Sequence, residues 1–375
     1  MPVYLHHIET LVPEQAYSQE FARERMEEWV GDDKQRRLVR RVYRNSGIET
    51  RYSTLTDFRP ETEGTLFKTD GNGKIIEPGT RERNDRFAQE ARRMTGEVAL
   101  RALTRCTRFT SADITHVITV TCTGFANPGP DFHLVRDLNL GASTQRYALG
   151  FMGCYAALPA LRMATQFCQA DLSAVVLIVS IELCSLHLHF ENGIDSLLGN
   201  AIFGDGTAAV LVSAQSPSPE QPAYRLDGFA STLIPSAEKD MAWRIGNKGF
   251  EITLSTYVPE IISAHIREIV DRILLSHNRN FDSIALWAVH PGGKAILDKI
   301  QSELKLTDEQ IRASREVLRR YGNMSSATSL FVLKEILGTT APDSGGDEIC
   351  ALAFGPGLTV ETALLHRIPA STPTA

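Results

Sequence analysis

No run in this chain approaches the ~18 uninterrupted apolar residues that a membrane-crossing helix needs. Its start, Met1-Pro-Val-Tyr-Leu-His-His7, lacks a basic stretch followed by an apolar one. Basic residues are not in excess: 39 Lys and Arg stand against 45 Asp and Glu, a formal net charge of -6. That balance argues against a nucleic-acid or anionic-membrane partner. Cysteine is sparse, at positions 106, 122, 154, 168, 184 and 350, with no C-x-x-C pair and no zinc-type Cys/His spacing. Neither a disulfide framework nor a metal site is therefore expected. The glycine-rich pieces Phe203-Gly-Asp-Gly206 and Phe354-Gly-Pro-Gly357 lack the spacing of a phosphate-binding loop or dinucleotide fingerprint; they read as tight turns that bring backbone close to a central site. These absences leave the expectation of a cytoplasmic protein with reduced thiols and no metal or organic cofactor.

What is present is an ordinary globular composition, 43% hydrophobic and 22% charged, over 375 residues. That is long enough for two fused domains or one large α/β body. Helical spacing with many charges covers 17–45, and a Gly-, Thr-, Asp- and Pro-rich stretch over 53–80 reads as a surface loop. A helix is predicted over 82–105, then buried strands over 115–121, 145–149 and 173–180, with an apolar helix at 153–168 between the last two. That helix carries almost no charge beyond Arg162, so it is expected to lack a wet face and to cross the middle of the molecule. A strand at 208–213 and a Ser-, Pro- and Gln-rich connector at 215–222 close a first half, 1–222. The second half, 223–375, follows a loosely similar order without a repeat in the sequence itself: strands near 224–234 and 283–289, helices over 255–277, 293–303, 307–320 and 325–337, and strands near 347–354 and 358–365. Buried strands alternating with helices predict an α/β fold with both sheet faces covered.

Cys154 follows Gly150-Phe-Met-Gly153 at a strand-to-helix junction. A helix end is worth ~0.3–2 kcal/mol to an anion and one pKa unit is ~1.36 kcal/mol, so the dipole alone would bring a thiol from ~8.5 only to about 7 to 8. An efficient thiolate needs a cationic neighbour, and a histidine is expected nearby in space. Read alone, a buried cysteine is ordinary core. Among ten histidines, His290 ends an apolar strand and opens the turn Pro291-Gly-Gly293, where functional side chains of α/β proteins gather. His187 and His189, in a presumed alternating strand, and His6 and His7 read as structural. Asn323, in Tyr321-Gly-Asn-Met-Ser-Ser326, has the look of a helix cap; its amide can also donate to a developing enolate or thioester oxyanion, which a carboxylate cannot. Cys, His and Asn together suit acyl transfer and carbon–carbon bond formation. Arg36, Arg37, Arg40, Arg41 and Arg44 fall three or four apart, one cationic face that is either solvated or a mouth for phosphates.

With Trp287-Ala-Val-His-Pro-Gly-Gly293, Tyr321-Gly-Asn-Met-Ser-Ser326 and Gly150-Phe-Met-Gly-Cys154 on the page, the chain resembles the type III polyketide synthases, the chalcone synthase-like family. Supporting segments are Thr121-Cys-Thr-Gly-Phe-Ala-Asn-Pro-Gly-Pro-Asp131, Leu198-Gly-Asn-Ala-Ile-Phe-Gly-Asp-Gly206 and Gly355-Pro-Gly-Leu-Thr-Val-Glu-Thr362; they span nearly the whole chain in the family's order. The resemblance implies a homodimer of the duplicated αβαβα thiolase fold, with no covalent carrier arm and coenzyme A thioesters as substrates. It implies Cys154 as the acyl-carrying nucleophile, with His290 and Asn323 holding the malonyl thioester as it loses CO2. It also implies a pocket including Cys122, Thr123, Asn127, Phe203, Trp243, Ile252 and Ser325, with Phe203 as gatekeeper and Arg41, flanked by Arg37 and Arg44, as the coenzyme A contact. Departures bear on the substrate. Ile252 stands where chalcone synthases carry a second gatekeeping phenylalanine, Asn127 replaces a methionine that reaches into the partner subunit, and Trp243 replaces a glycine of the pocket wall. The chain is also shorter between Cys184 and Asp195 than plant members. The segment Met241-Ala-Trp-Arg-Ile-Gly-Asn-Lys-Gly-Phe250 is more similar to bacterial and fungal alkylresorcinol and alkylpyrone synthases, which implies a fatty acyl starter. Three other readings are a single-condensation ketosynthase III-like enzyme fed by acyl carrier protein, a non-catalytic member of the fold, and a cysteine hydrolase. The HPGG and YGNMSS wording speaks against the first, retention of all three polar residues against the second, and missing motif contexts against the third.

Overall fold

A computed structural model describes residues 1–30, 32–59, 64–70, 75–190, 193–339 and 347–370; parts of the expected 53–80 loop and of the short segment after Cys184 lie outside them. Nine strands form one mixed sheet. In spatial order they are Leu286–Val289, Glu348–Gly355, Thr359–Ile368, Ala223–Leu233, Val3–Leu11, Asp205–Ser213, Val175–Leu183, His116–Thr121 and Gln145–Gly150. Pairing is parallel at the two ends of this sheet and antiparallel through its middle.

Strand side chains alternate between faces, and here both faces are covered. Val117, Val175, Leu177, Val179 and Leu211 pack outward with Val98 and Ala102 of the helix Thr80–Arg105. Their neighbours Ile118, Val120, Val176, Ile178 and Val210 turn inward, onto the helices Ala157–Ala170 and Ala327–Leu337. Across those helices, Ile349, Ala351, Ala363 and Leu365 face the same central core. Cys350, Leu352, Val360 and Leu364 face away, against the helices Val258–Ser276 and Lys294–Leu304. Helix, sheet, helix, sheet, helix is the five-layered order expected. The apolar helix does cross the middle, but its last turn is wet at Gln166 and Gln169, and Arg162 is drawn to the buried carboxylate of Glu361 at 2.9 Å.

Local differences from the sequence reading have local causes. The stretch 17–45 is two helices, Gln19–Trp29 and Asp33–Arg44, because Ser18 and Asp32 each cap a new start. The loop contains short strands, Lys68–Thr69 paired with Ile75–Ile76. Helices Pro130–Asp137 and Ile194–Ile202 and the hairpin Met241–Gly246/Gly249–Leu254 were not anticipated. Phe203–Gly206 is no tight turn: it carries the chain from a helix into the strand Asp205–Ser213. His187 does not lie in a strand. After Leu183 the backbone turns into a short 3-10 helix, Cys184–His187, because the buried guanidinium of Arg83 takes the carbonyls of Leu186 and Leu188 that a strand neighbour would need.

Candidate active site

The inner ends of these layers meet at a cavity of about 870 Å³, its mouth included, lined by Cys154, His290 and Asn323 together. Cys154 comes from the crossing after the strand Gln145–Gly150. Two residues of turn, Tyr155 and Ala156, separate it from the helix that begins at Ala157, so the thiol stands ahead of the helix end rather than in it, and the dipole's help is reduced. Gly153 makes this turn possible. Its φ is +83°, and a Cβ there would sit 2.5 Å from Cδ of Pro356, in the hairpin turn of the other half. Burial first, and the charge of Glu182 behind it, push the Cys154 thiol up to about 11, against hydrogen bonding from Ser325 and Asn323. The sequence arithmetic of about 7 to 8 is thus overturned by desolvation, a larger effect than the dipole.

His290 follows the strand Leu286–Val289, its backbone N–H held by the carbonyl of Leu352 at 2.7 Å. Its ring is buried and neither Nδ1 nor Nε2 has a partner among the described residues. Burial holds its pKa down to about 3, so the free imidazole is neutral. Asn323 is pinned by a parallel bridge to Phe203. Its Oδ1 accepts from the Ser325 N–H at 2.8 Å. That bond fixes the amide's orientation, and Nδ2 points at Sγ of Cys154 at 4.0 Å and the carbonyl of Gly292 at 3.4 Å. The helix Ala327–Leu337 starts after Ser326 with no side-chain cap, so Asn323 is not its cap: Oδ1 closes a local turn onto Ser325, and Nδ2 is aimed at the cavity sulfur.

Cys122, Thr123, Phe203, Trp243, Ile252 and Ser325 also line the cavity. Asn127 does not; it is exposed, beside Phe125. The arginines stay outside as well and divide into two rows. Arg36 and Arg40 turn to Asp33 and Glu27, whereas Arg37, Arg41 and Arg44 point outward without an ion pair among the described residues.

One residue of consequence, Glu182, escaped the sequence reading, and another, His187, was placed there in a strand, away from the site. Glu182, fully buried at the end of the strand Val175–Leu183, accepts from the Cys122 N–H at 3.0 Å, from Thr123 Oγ1 at 2.9 Å and from Ser326 Oγ. Burial nevertheless raises its carboxyl to about 7. Cys122 Sγ lies 3.4 Å from this carboxyl and 3.2 Å from Ser325 Oγ. The signal was a lone charge at the end of a run of apolar residues. His187 lines the cavity too. Its Nδ1 accepts the Phe250 N–H at 3.0 Å and its Nε2–H donates to the Thr123 carbonyl at 2.8 Å, a pattern only the neutral ring can make. Beside it, Trp243 Nε1 donates to the Cys122 carbonyl at 2.7 Å.

Among the described residues no group of three or more His, Cys, Asp or Glu could hold a metal ion, and no helix is long and apolar enough to cross a membrane. The chain matches the family model for the N-terminal domain of chalcone and stilbene synthases over residues 4–216 and that for the C-terminal domain over 225–369. Among solved structures it is similar to the C-terminal type III polyketide synthase domain of Steely1, a type I/III hybrid from Dictyostelium (27% identity, TM-score 0.89, covering 98% of this chain and 100% of that one). It is also similar to PKS-I from the brown alga Ectocarpus siliculosus (29%, 0.89, 98% and 99%) and to 1,3,6,8-tetrahydroxynaphthalene synthase from Streptomyces coelicolor (28%, 0.86, 98% and 100%). Thiol, imidazole and amide at one buried cavity, in a five-layered α/β body matched from end to end, give one conclusion: the chain belongs to the chalcone and stilbene synthase family and is a type III polyketide synthase, an acyltransferase-type enzyme.

Proposed function

We propose that Cys154 takes a fatty acyl starter from coenzyme A and that His290 and Asn323 support its extension with malonyl-CoA, giving an alkylpyrone or alkylresorcinol. One observation carries this reading: the cavity that holds Cys154 Sγ also holds an imidazole with both nitrogens bare and an amide N–H 4.0 Å from the sulfur. Buried polar atoms in native proteins are normally bonded; an unbonded imidazole facing a cavity has its partner in a ligand.

Burial opposes either charge alone, thiolate or imidazolium. Formed together, the two charges offset each other's desolvation. In the first step the thiol proton passes to His290, sulfur adds to the starter thioester carbonyl, and the coenzyme A thiolate leaves and takes up that proton. In the second, malonyl-CoA sits with its thioester oxygen on the Asn323 Nδ2–H and a His290 N–H. As CO2 departs, the electron pair left on carbon delocalises onto that oxygen, where the two donors hold it. The enolate carbon then attacks the acyl carbonyl and Cys154 is released as thiolate. The apolar lining favours a chain without charge, and Trp243 and His187 narrow the side where a bulkier ring would lie.

The outward row Arg37, Arg41 and Arg44 is suited to the phosphates of coenzyme A, which would bind as a charge-assisted, salt-sensitive contact. We extend the reading to a homodimer. Phe125 and Phe132, 43% and 37% exposed, flank the edge strand Gln145–Gly150, where an unpaired rim and an apolar patch call for cover. Incubation with long-chain acyl-CoA and labelled malonyl-CoA tests the whole. Labelled polyketide and an acyl adduct on Cys154 are expected; folded enzyme that makes neither overturns it. Presenting the same starter on acyl carrier protein decides the donor.

A further inference from the structure

The helix Ile194–Ile202 ends where Asn323 docks. A helix leaves its last four carbonyls without partners of its own, and here all four, those of Asn200, Ala201, Ile202 and Phe203, are taken from outside. The Ile202 carbonyl accepts the Asn323 N–H at 2.8 Å, and the Gly204 N–H donates back to the Asn323 carbonyl at 2.9 Å. Both backbone groups of Asn323 are thus tied to this one helix end. Its amide lies a single methylene further on, so a shift of the helix end passes directly to Nδ2.

The other three carbonyls are held by one guanidinium and its neighbours. Arg51, on the strand Thr50–Ser53, donates from Nη1 to the carbonyls of Asn200 and Phe203, each at 2.7 Å. Its Nε–H donates to Gln19 Oε1 at 2.9 Å, which turns Gln19 Nε2 onto the Ala201 carbonyl, 2.7 Å away. Tyr43 adds an O–H bond to the Asn200 carbonyl at 3.1 Å, and Arg51 lies over its ring at 5.6 Å. A cation at this end also complements the helix dipole. The stem of Arg51 packs on the other partner of the bridge. A Cβ on Gly322, the residue before Asn323, would meet Arg51 Cγ at 2.9 Å and Cδ at 3.0 Å. One side chain therefore braces both segments that carry Asn323. Cys154 and His290 stand on other elements, and none of these Arg51 contacts reaches them.

We propose that Arg51 is a positioning residue for decarboxylation: by closing the end of the helix Ile194–Ile202 it holds the Asn323 Nδ2–H where the malonyl thioester oxygen must meet it, and it takes no part in loading Cys154. The inference rests on the reading of Asn323 given above.

Measuring the two half-reactions separately tests this. Loading is followed as the burst of acyl adduct on Cys154 with acyl-CoA alone, and decarboxylation as CO2 released from malonyl-CoA labelled in its free carboxyl. In Arg51→Ala the burst rate should stay within two-fold of the unmodified enzyme's while CO2 release falls about ten-fold or more, since small misplacements of a reacting geometry are costly. Arg51→Lys, which keeps the charge but not the planar fork that serves both the carbonyls and Gln19, should recover part of the loss. Added to Asn323→Ala, Arg51→Ala should lower CO2 release no further, because the two residues act as one unit. Parallel loss of both half-reactions, CO2 release within two-fold of the unmodified enzyme's, additive losses in the double variant, or failure of both Arg51 variants to fold each overturns the proposal. If Asn323→Ala by itself leaves CO2 release unchanged, the reading of Asn323 fails and takes this one with it.

Discussion

Glu182 and His290 are buried to nearly the same degree, 0% and 1% exposed, at one cavity wall and at the residues behind it, yet the protein treats them oppositely. The carboxyl is surrounded by donors from Cys122, Thr123 and Ser326, whereas the imidazole is left bare. A fully bonded buried group holds its neighbours in place, and an unbonded one is kept for something that arrives. Removing Glu182 should therefore damage structure first, and removing His290 should damage chemistry first.

The largest effect expected is at the sulfur of Cys154, proposed above as the acyl carrier. Cys154→Ala should abolish the acyl adduct seen by mass spectrometry and lower product formation by at least about 10^3-fold, with circular dichroism unchanged. Next, His290→Ala should cut kcat/KM by roughly 10^2 to 10^4 while the melting temperature holds or rises, since no hydrogen bond is lost. Glu182→Ala should invert that pattern, each orphaned donor costing ~1–3 kcal/mol of stability; equal melting temperatures for the two variants would erase the distinction.

Acid should separate them again. His290 is held at about 3, and His187, where burial again is the main cause, likewise at about 3, both below the ordinary 6.5. The unfolded chain thus binds more protons, and this stability is present above pH 6.5 and lost as pH falls toward 3. Glu182 runs the other way. Raised from 4.5 to about 7, it contributes stability below 4.5 that is lost as pH rises through 7. Urea unfolding across pH 5 to 8 should show His290→Asn flattening the acid limb and Glu182→Gln flattening the neutral one, each by up to ~1.4 kcal/mol per pH unit. The smallest effect expected is at the rim. Arg41→Ala should raise KM for acyl-CoA a few-fold with kcat unchanged, and the difference should shrink in high salt.

The layers were legible because each rests on a short-range signal. Two-faced apolar strands such as 175–183 and the nearly uncharged helix 157–170 could hardly fold otherwise. His290 and Asn323 were legible for the same reason: a strand end and a helix approach are local grammar. Glu182, His187 and the split among the arginines were not, because each depends on a distant partner. Nothing near His187 announces Arg83, which lies over a hundred positions earlier and bends that backbone away from a strand, and nothing within 36–44 announces Glu27. The tip Gly246-Asn-Lys-Gly249 is a turn signal that was available and went unread.

Gly153 carries a consequence for heredity. Its missing side chain leaves room for Pro356, on a strand connection two hundred residues away, so these two positions form a single unit of inheritance. A chimera that joins residues 1–222 of this chain to the second half of a relative would keep the turn before Cys154 in place only where that relative has a loop of the same contour to receive it. Exchange of either half is therefore expected to depend on agreement between the glycine on one side of this contact and the proline on the other.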